Sequence, residues 1–428
     1  MSRNVLIAQS GGPSAVINGT LLGIIEGCRD HPDVFGRIYA GWHGVEGLLR
    51  EELLDLSAQD EKEIKLLRTT PAAGSIGTCR YKLRADHAED FARVLTVLRA
   101  HDIGTFFYIG GNDSMDTANK IAAAARAESL DLVVVGGPKT IDNDVGDTAF
   151  ELVDHTPGYA STARYFVQTI LNANEENAGS CPADPVLVIQ AMGRRIGFIP
   201  AAARLADPER TMPLRIFLAE SGLTLDEIGN NIIDCLATHG RCIVVASEGL
   251  ELGALGEVKD AFGHVAFSSS QSSVAQHLTN HLNARKLPVP GKARCQIPGT
   301  DQRSAAIYAS TVDMDEAYQV GLECARIARE DGTGWMGTIL REPGPAYRAR
   351  YAKVALAAVA NAERTFPADW ITAGRDDVTD AFVRYAQPLI GDAWPDIPLE
   401  GGRQRFTRFR PIFAEKRCAA YTPQAYRR

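Results

Sequence analysis

The chain has 428 residues, 45% of them apolar and 23% charged, with a formal net charge of −8. That length is too great for one ordinary core and suits two large α/β lobes, while the acidic balance disfavours nucleic acid or an anionic membrane as a partner. The eight cysteines are scattered without a Cys-x-x-Cys pair, no apolar run reaches membrane-spanning length and no export pattern precedes the first strand, so reduced thiols and a cytoplasmic location are expected and a zinc site is not.

Val5–Ala8 reads as a first strand, followed by Gln9-Ser10-Gly11-Gly12-Pro13-Ser14 and a helix to Cys28. A glycine turn of this kind lets backbone N–H groups approach a phosphate at a helix start. It is not the Gly-x-x-x-x-Gly-Lys-[Ser/Thr] of P-loop NTPases, nor the Gly-x-Gly-x-x-Gly of dinucleotide enzymes. Arg37–Ala40 reads as a strand before a short amphipathic helix, and Asp60–Lys65 as a charged segment. The small, glycine-rich stretch Thr69–Arg80 reads as a loop ending on a cation.

Asp90–Leu98 reads as a helix and Thr105–Ile109 as a strand. That strand delivers Gly110-Gly111-Asn112-Asp113-Ser114, whose polar side chains cap a helix running to about Ala127. The pattern of strand, Gly-Gly, polar cluster and helix thus occurs twice, and both turns belong at one end of one sheet. Leu132–Val135 is the next strand, closed by Gly136-Gly137-Pro138 and then Lys139-Thr140-Ile141-Asp142-Asn143-Asp144. Open α/β sheets keep ligands at the carboxyl ends of their strands. If that loop is extended, Asp142 and Asp144 point the same way, one suited to act as a base and the other to hold a hydroxyl or a magnesium ion.

Further on come a helix over Gly158–Ala173, the strand Val186–Gln190 ending in Met192-Gly193-Arg194, and a helix through Ala206. The strand Leu214–Leu218, the helix Leu225–Thr238 and the strand Cys242–Ala246 lead to Ser247-Glu248-Gly249. A helix over Gln271–Arg285 and a strand over Ala293–Ile297 precede Thr300-Asp301-Gln302-Arg303. Strand and helix alternate, which predicts parallel sheets. Asp315–Ala328 and Arg348–Arg364 read as amphipathic helices around a strand at Thr338–Leu340, and the basic, aromatic run Arg403–Arg410 reads as a packing or subunit-contact segment.

The ordered set Gly11-Gly12-Pro13, Gly110 to Ser114, Pro138 to Asp144, Met192-Gly193-Arg194, Ser247-Glu248-Gly249 and Gln302-Arg303 resembles the phosphofructokinase family in its pyrophosphate-dependent branch, from Val5 to about Gly321. The resemblance implies two similar Rossmann-like three-layer lobes with mostly parallel sheets and the active site in the cleft. It places a donor lobe at residues 1–150, a sugar-phosphate lobe at 151–320 and returning carboxyl-terminal helices at 321–428. It implies transfer of a phosphoryl group from inorganic pyrophosphate to the C1 hydroxyl of fructose 6-phosphate, with Mg2+ as cofactor and a homodimer or homotetramer as the assembly.

By the same resemblance Asp142 is the general base, Thr140 a positioning group, and Lys139 and Arg194 the cations of the transferring phosphoryl group. Gly12, Arg80, Gly111, Asn112, Asp113 and Ser114 face the donor. Asp144, Met192, Gly193, Glu248, Arg294, Thr300 and Arg303 face the sugar phosphate, and Asp113 and Asp142 hold the metal. ATP-using relatives tend to carry glycine where Asp113 and Lys139 stand, which favours pyrophosphate as donor. Asn112, Thr300 and Pro185 depart from the family pattern. They leave open an ATP-dependent enzyme, a kinase of another ketose phosphate or anionic ketose, and a non-catalytic regulatory subunit.

Overall fold

The computed structural model describes residues 2–84, 86–253, 272–360 and 362–427. In chain order its two main sheets are built from β1 (Arg3–Gln9), β2 (Phe35–Gly41), β3 (Leu53–Asp55), β4 (Ile103–Gly110), β5 (Val133–Pro138), β6 (Val186–Ala191), β7 (Leu214–Phe217), β8 (Cys242–Ser247), β9 (Ala293–Gln296), β10 (Trp335–Arg341) and β11 (Ala349–Ala355). The chain divides into two compact units. Unit 1 comprises 1–158, 312–364 and 395–428, and unit 2 comprises 159–311 and 365–394.

Unit 1 holds a seven-stranded sheet in the order β11-β10-β5-β4-β1-β2-β3. β1, β2, β4, β5 and β10 run parallel, and β3 and β11 close the edges antiparallel. β4 is buried along its whole length, as expected of an apolar strand covered on both faces. Two apolar clusters flank the sheet, one around Leu6, Phe106 and Val134 and the other around Val5, Phe107 and Val135, so neighbouring residues of each strand feed opposite faces. Because the chain runs from β1 to one side and returns to β4 on the other, the junction of β1 and β4 is a topological switch point. The turns after both strands, and the loop after β5, leave the sheet at this carboxyl edge.

Unit 2 holds an all-parallel sheet in the order β7-β8-β6-β9. Its order also reverses at β6, which delivers Met192-Gly193-Arg194. The helix Leu225–His239 shows how locally this unit is specified. Thr224 and Glu227 form a reciprocal capping box at its start, and Gly240 ends it in the left-handed region at φ 73°.

Two predicted elements take a different form. Arg348–Arg364, read as a helix, is instead β11 paired antiparallel with β10 over Trp335–Arg341, followed by one short helix, Leu356–Val359. Its Ala- and Arg-rich composition favours helix, but the open edge of β10 offers a row of backbone donors and acceptors that this segment satisfies. The helix expected up to Ala206 is a short α-turn, Phe198–Ala201, tightening into a 3-10 turn, Ala202–Ala206. For the helix expected from Gln271, that first residue lies outside the described residues, and the helix spans Val274–Ala284. Among the described residues no helix is long and apolar enough to cross a membrane.

Candidate active site

The turn after β1 is built for close approach. Gly11 sits at φ 80°, and a side chain there would meet the ammonium of Lys139, whose Nζ donates to Gly12 O at 2.7 Å. Lys139 is buried, and its backbone N–H donates to Gly110 O at 3.0 Å. The lysine therefore stitches the loop after β5 to the turns after both β1 and β4. Asn112, Asp113 and Ser114 open the helix Asn112–Ala127, where exposed N–H groups and the helix dipole favour an anion.

The glycine-rich stretch is held beside these turns. Asn18 is fully buried and donates to Thr70 O at 3.2 Å and Ala72 O at 2.7 Å, while accepting from Gln9 Nε2 and Ser75 Oγ at 3.1 Å each. Gly11 N donates to Cys79 O at 3.0 Å, and Thr78 Oγ1 to Gly11 O at 2.9 Å. Arg80 follows, exposed at the rim. Beyond it Lys82 Nζ contacts Asp113 Oδ1 at 2.9 Å. Lys82 was not read as a site residue from the sequence; its spacing from Arg80 carries no periodic signal, and its carboxylate partner comes from another strand end.

The loop Lys139–Asp144 is not extended. Asn143 takes the left-handed region at φ 59°, a conformation asparagine tolerates better than most residues, so the alternation argument for Asp142 and Asp144 does not apply. Asp144 is buried and Asp142 half-buried, with the Asp142 N–H donating to Thr140 Oγ1 at 3.1 Å.

The turn is clamped from behind. Thr156 donates its N–H to Asn143 Oδ1 at 3.2 Å and its hydroxyl to Thr140 O at 2.9 Å. Arg364, fully buried, donates backbone N–H to Asp144 O at 2.8 Å, Nη1 to Asn143 Oδ1 at 3.3 Å and to Asp154 O at 2.9 Å, and Nε to Asp147 O at 2.9 Å. Its guanidinium also lies over the Phe150 ring, 4.3 Å from the centroid. One step further, fully buried His155 bridges Asp154 Oδ2 at 2.9 Å and Glu316 Oε2 at 2.7 Å. Burial alone would lower the imidazole, but Glu316 and Asp154 outweigh it and raise the group to about 10, so it is held as an imidazolium. Sequence reading missed Arg364 and His155 because both act across long sequence separations.

Among the buried oxygens of unit 1 that accept no hydrogen bond from the described residues are Asn112 Oδ1 and Asp144 Oδ1. Buried polar atoms of this kind call for a partner. They suit sugar hydroxyls or the waters of a hard cation, which prefers oxygen. Among the described residues no group of three or more His, Cys, Asp or Glu side chains could hold a metal. Mg2+ commonly uses one or two carboxylates together with substrate phosphates. Asp142 suits such a role; Asp113, expected as the other ligand, carries the Lys82 ammonium.

Unit 2 assembles its own group at the end of β6. Gly193, at φ 123°, and Arg194, in the left-handed region at φ 53°, form a tight turn, a cost of order 1–3 kcal/mol for the non-glycine residue that the surroundings must hold. Glu248 Oε1 accepts from Arg194 N at 3.0 Å, and Gln302 Oε1 accepts from Met192 N at 2.8 Å. Gly249 packs so closely on the Arg194 carbonyl that a side chain there would collide with it. Glu248 thus spends one oxygen on the backbone of the turn. Arg303 is half-buried one residue beyond Gln302, whereas Thr300 and Arg294 are exposed, and Arg294 Nε pairs with Asp184 at 2.5 Å. Most of the predicted residues thus gather at the carboxyl ends of each unit's strands; Arg294 does not, being the second residue of β9, opposite Leu187 near the start of β6 and paired with Asp184 at the amino end of the sheet.

Known proteins are similar to this chain over most of its length. A pyrophosphate–fructose 6-phosphate 1-phosphotransferase of Methylococcus capsulatus is 34% identical over 430 residues, covering 98% of this chain and 99% of its own. A crystal structure of a pyrophosphate-dependent phosphofructokinase from Marinobacter aquaeolei superposes with a TM-score of 0.86 at 33% identity, covering 98% of this chain and 99% of that one. A sulfofructose kinase of Alkalicoccus urumqiensis is 26% identical over 369 residues, covering 86% of this chain and 91% of its own. The model of the family described as Phosphofructokinase matches residues 4–328, the span that holds both strand-end clusters. On that match and these near full-length relatives, the chain belongs to the phosphofructokinase family.

Proposed function

We propose that this chain transfers a phosphoryl group from inorganic pyrophosphate to the C1 hydroxyl of fructose 6-phosphate, reversibly. The observation that carries the reading is Lys139, buried and tied to Gly12 O and Gly110 O, with Asp113 in the first turn of the helix after β4. On this reading the two side chains would occupy the space where glycines leave room for a nucleotide. The near full-length relatives that act with pyrophosphate support the same donor.

Asp142 takes the proton of the C1 hydroxyl as that oxygen attacks phosphorus, and the bridging P–O bond breaks with its electrons staying on the departing phosphate. Thr140 receives the Asp142 N–H and fixes the turn. Lys139, Arg80, Gly12, Gly111, Asn112 and Ser114 hold the donor. Arg194 neutralises charge developing on the transferring group, which is most of what phosphoryl transfer asks of a protein. Asp144, Met192, Gly193, Glu248, Arg294, Thr300 and Arg303 recognise the sugar phosphate. Asp142 would hold a Mg2+ ion, which would supply charge neutralisation and alignment of the donor. A cytoplasmic homodimer or homotetramer completes the reading, and the eight cysteines, all free thiols, agree with the compartment.

The test is a coupled assay with fructose 6-phosphate and Mg2+, comparing pyrophosphate with ATP. Turnover with pyrophosphate alone is expected, and turnover with ATP alone overturns the donor assignment. A second reading, a ketose with another terminal anion, draws on exposed Thr300 and on the sulfofructose kinase relative. Turnover of fructose 6-sulfonate in preference to fructose 6-phosphate would establish it.

A further inference from the structure

The donor half of unit 1 is closed by a circuit of contacts that runs through four separate pieces of chain. Lys139 Nζ reaches Gly12 O at 2.7 Å, and Gly11 N reaches Cys79 O at 3.0 Å. From Cys79 the chain runs through Arg80 and Tyr81 to Lys82, whose ammonium meets Asp113 Oδ1 at 2.9 Å. Asn112, next to Asp113, donates Nδ2 to Asp144 O at 3.4 Å, and Asp144 returns along its own loop to Lys139. Two unpaired buried acceptors, Asn112 Oδ1 and Asp144 Oδ1, lie on this circuit. Two ammonium groups, Lys139 and Lys82, stand on it at different strand-end loops.

Lys82 is fixed as well as charged. Its neighbour Tyr81 is buried, bonds Asp90 through its hydroxyl and receives Ala425 N at 3.2 Å. The Tyr426 ring packs edge-on against it at 5.4 Å. Asp90 in turn accepts from Tyr421 Oη at 2.7 Å and Gln424 N at 3.0 Å. The carboxyl-terminal segment thus holds the stretch that presents Lys82. The ammonium itself is half-exposed, with donors beyond the one given to Asp113.

We infer that Lys82 is a donor-specificity residue: its ammonium, held by Asp113, binds the phosphate of pyrophosphate that is not transferred and takes up its charge as it leaves. This rests on pyrophosphate being the donor. It also changes the part Asp113 plays. With a cation on its carboxylate, Asp113 selects the donor by placing Lys82 and filling space, more than by repelling a third phosphate. Two ammoniums then match a compact, highly charged dianion pair, whereas a nucleotide would spread the same charge over a longer chain.

Pyrophosphate binding, measured calorimetrically on the whole protein with Mg2+, tests this alongside steady-state kinetics on wild type, K82M, K82R, D113N and the K82M/D113N pair. Expected for K82M is a loss of pyrophosphate affinity of about ten- to a hundredfold, the weight of a charge-assisted contact. The KM for phosphate in the reverse direction should rise in parallel, with the KM for fructose 6-phosphate unchanged, the melting temperature held and K82R partly restored. The double variant separates ligand from counter-ion. If Lys82 contacts the donor, K82M/D113N stays weak; recovery of wild-type affinity would show that Lys82 only neutralises Asp113 and overturns the inference. Unchanged binding in K82M also overturns it. Wild type that fails to bind pyrophosphate removes the donor reading itself, and this inference with it.

Discussion

The two units place their site residues by different means. In unit 1 the loop Lys139–Asp144 is bound from below by buried groups: Thr156 on Thr140 and Asn143, Arg364 on Asn143 and Asp144, and His155 between two carboxylates beneath them. In unit 2 the turn at Arg194 rests on Glu248 and Gln302, while Arg294 and Thr300 stand in solvent. On the proposed reading, the half that would carry the chemistry is held by buried partners, while part of the half that would recognise the sugar phosphate stands exposed. Groups that act on a transition state gain from preorganisation; a cation that only recognises a terminal anion can stay hydrated until it binds.

The comparison breaks most decisively at Asp142. Asp142→Asn should lower kcat by about a hundred- to ten-thousandfold, the range for loss of a general base, with the KM for fructose 6-phosphate little changed. A fall under about tenfold would remove the base from this position. Next in size is Arg364→Met, which strips several buried carbonyls and Asn143 of their donor. It should cost on the order of 3 kcal/mol in a denaturant titration, and kcat should fall with it because the turn at Asn143 loosens. Full stability in this variant would mean that the clamp is ornamental.

Arg294→Ala sharpens the contrast from the other side. The side chain is exposed and its pair with Asp184 is at the surface, so stability should change by no more than about 0.5 kcal/mol. The KM for the sugar phosphate should still rise about tenfold. A tilt with pH sharpens it further. His155 is raised in the folded protein from 6.5 to about 10. Its contribution is therefore fully present below 6.5 and is lost as pH rises through about 10. The stability difference between wild type and His155→Gln should accordingly shrink between pH 6.5 and about 10 in urea titrations, and a constant difference would place the neutral imidazole in the network.

Strand ends, glycine turns and the order of the motifs were legible because each is a local pattern. An apolar run closed by Gly-Gly and a polar cluster carries its own start and stop signals, and Gly110, Asp142, Arg194 and Arg303 all fall where such patterns end. Arg348–Arg364 misled because helix propensity is a weak prior, and β10 needed a partner for its edge. The basic run Arg403–Arg410 packs on its own unit, with Thr407 N on Thr70 Oγ1 at 2.9 Å and Arg410 N on Gln59 Oε1 at 2.8 Å, through bonds that span most of the sequence.

By itself, then, the sequence determined which side chains stand at strand ends and in what order, since period, punctuation and composition act over a few residues. What only the tertiary structure decided is which of them are held and by what: Asn143 at positive φ under Arg364, His155 charged between Asp154 and Glu316, Lys82 on Asp113. Those outcomes depend on burial and on partners tens to hundreds of residues away. In a low-dielectric interior such partners set both the charge of a group and the conformation it can keep.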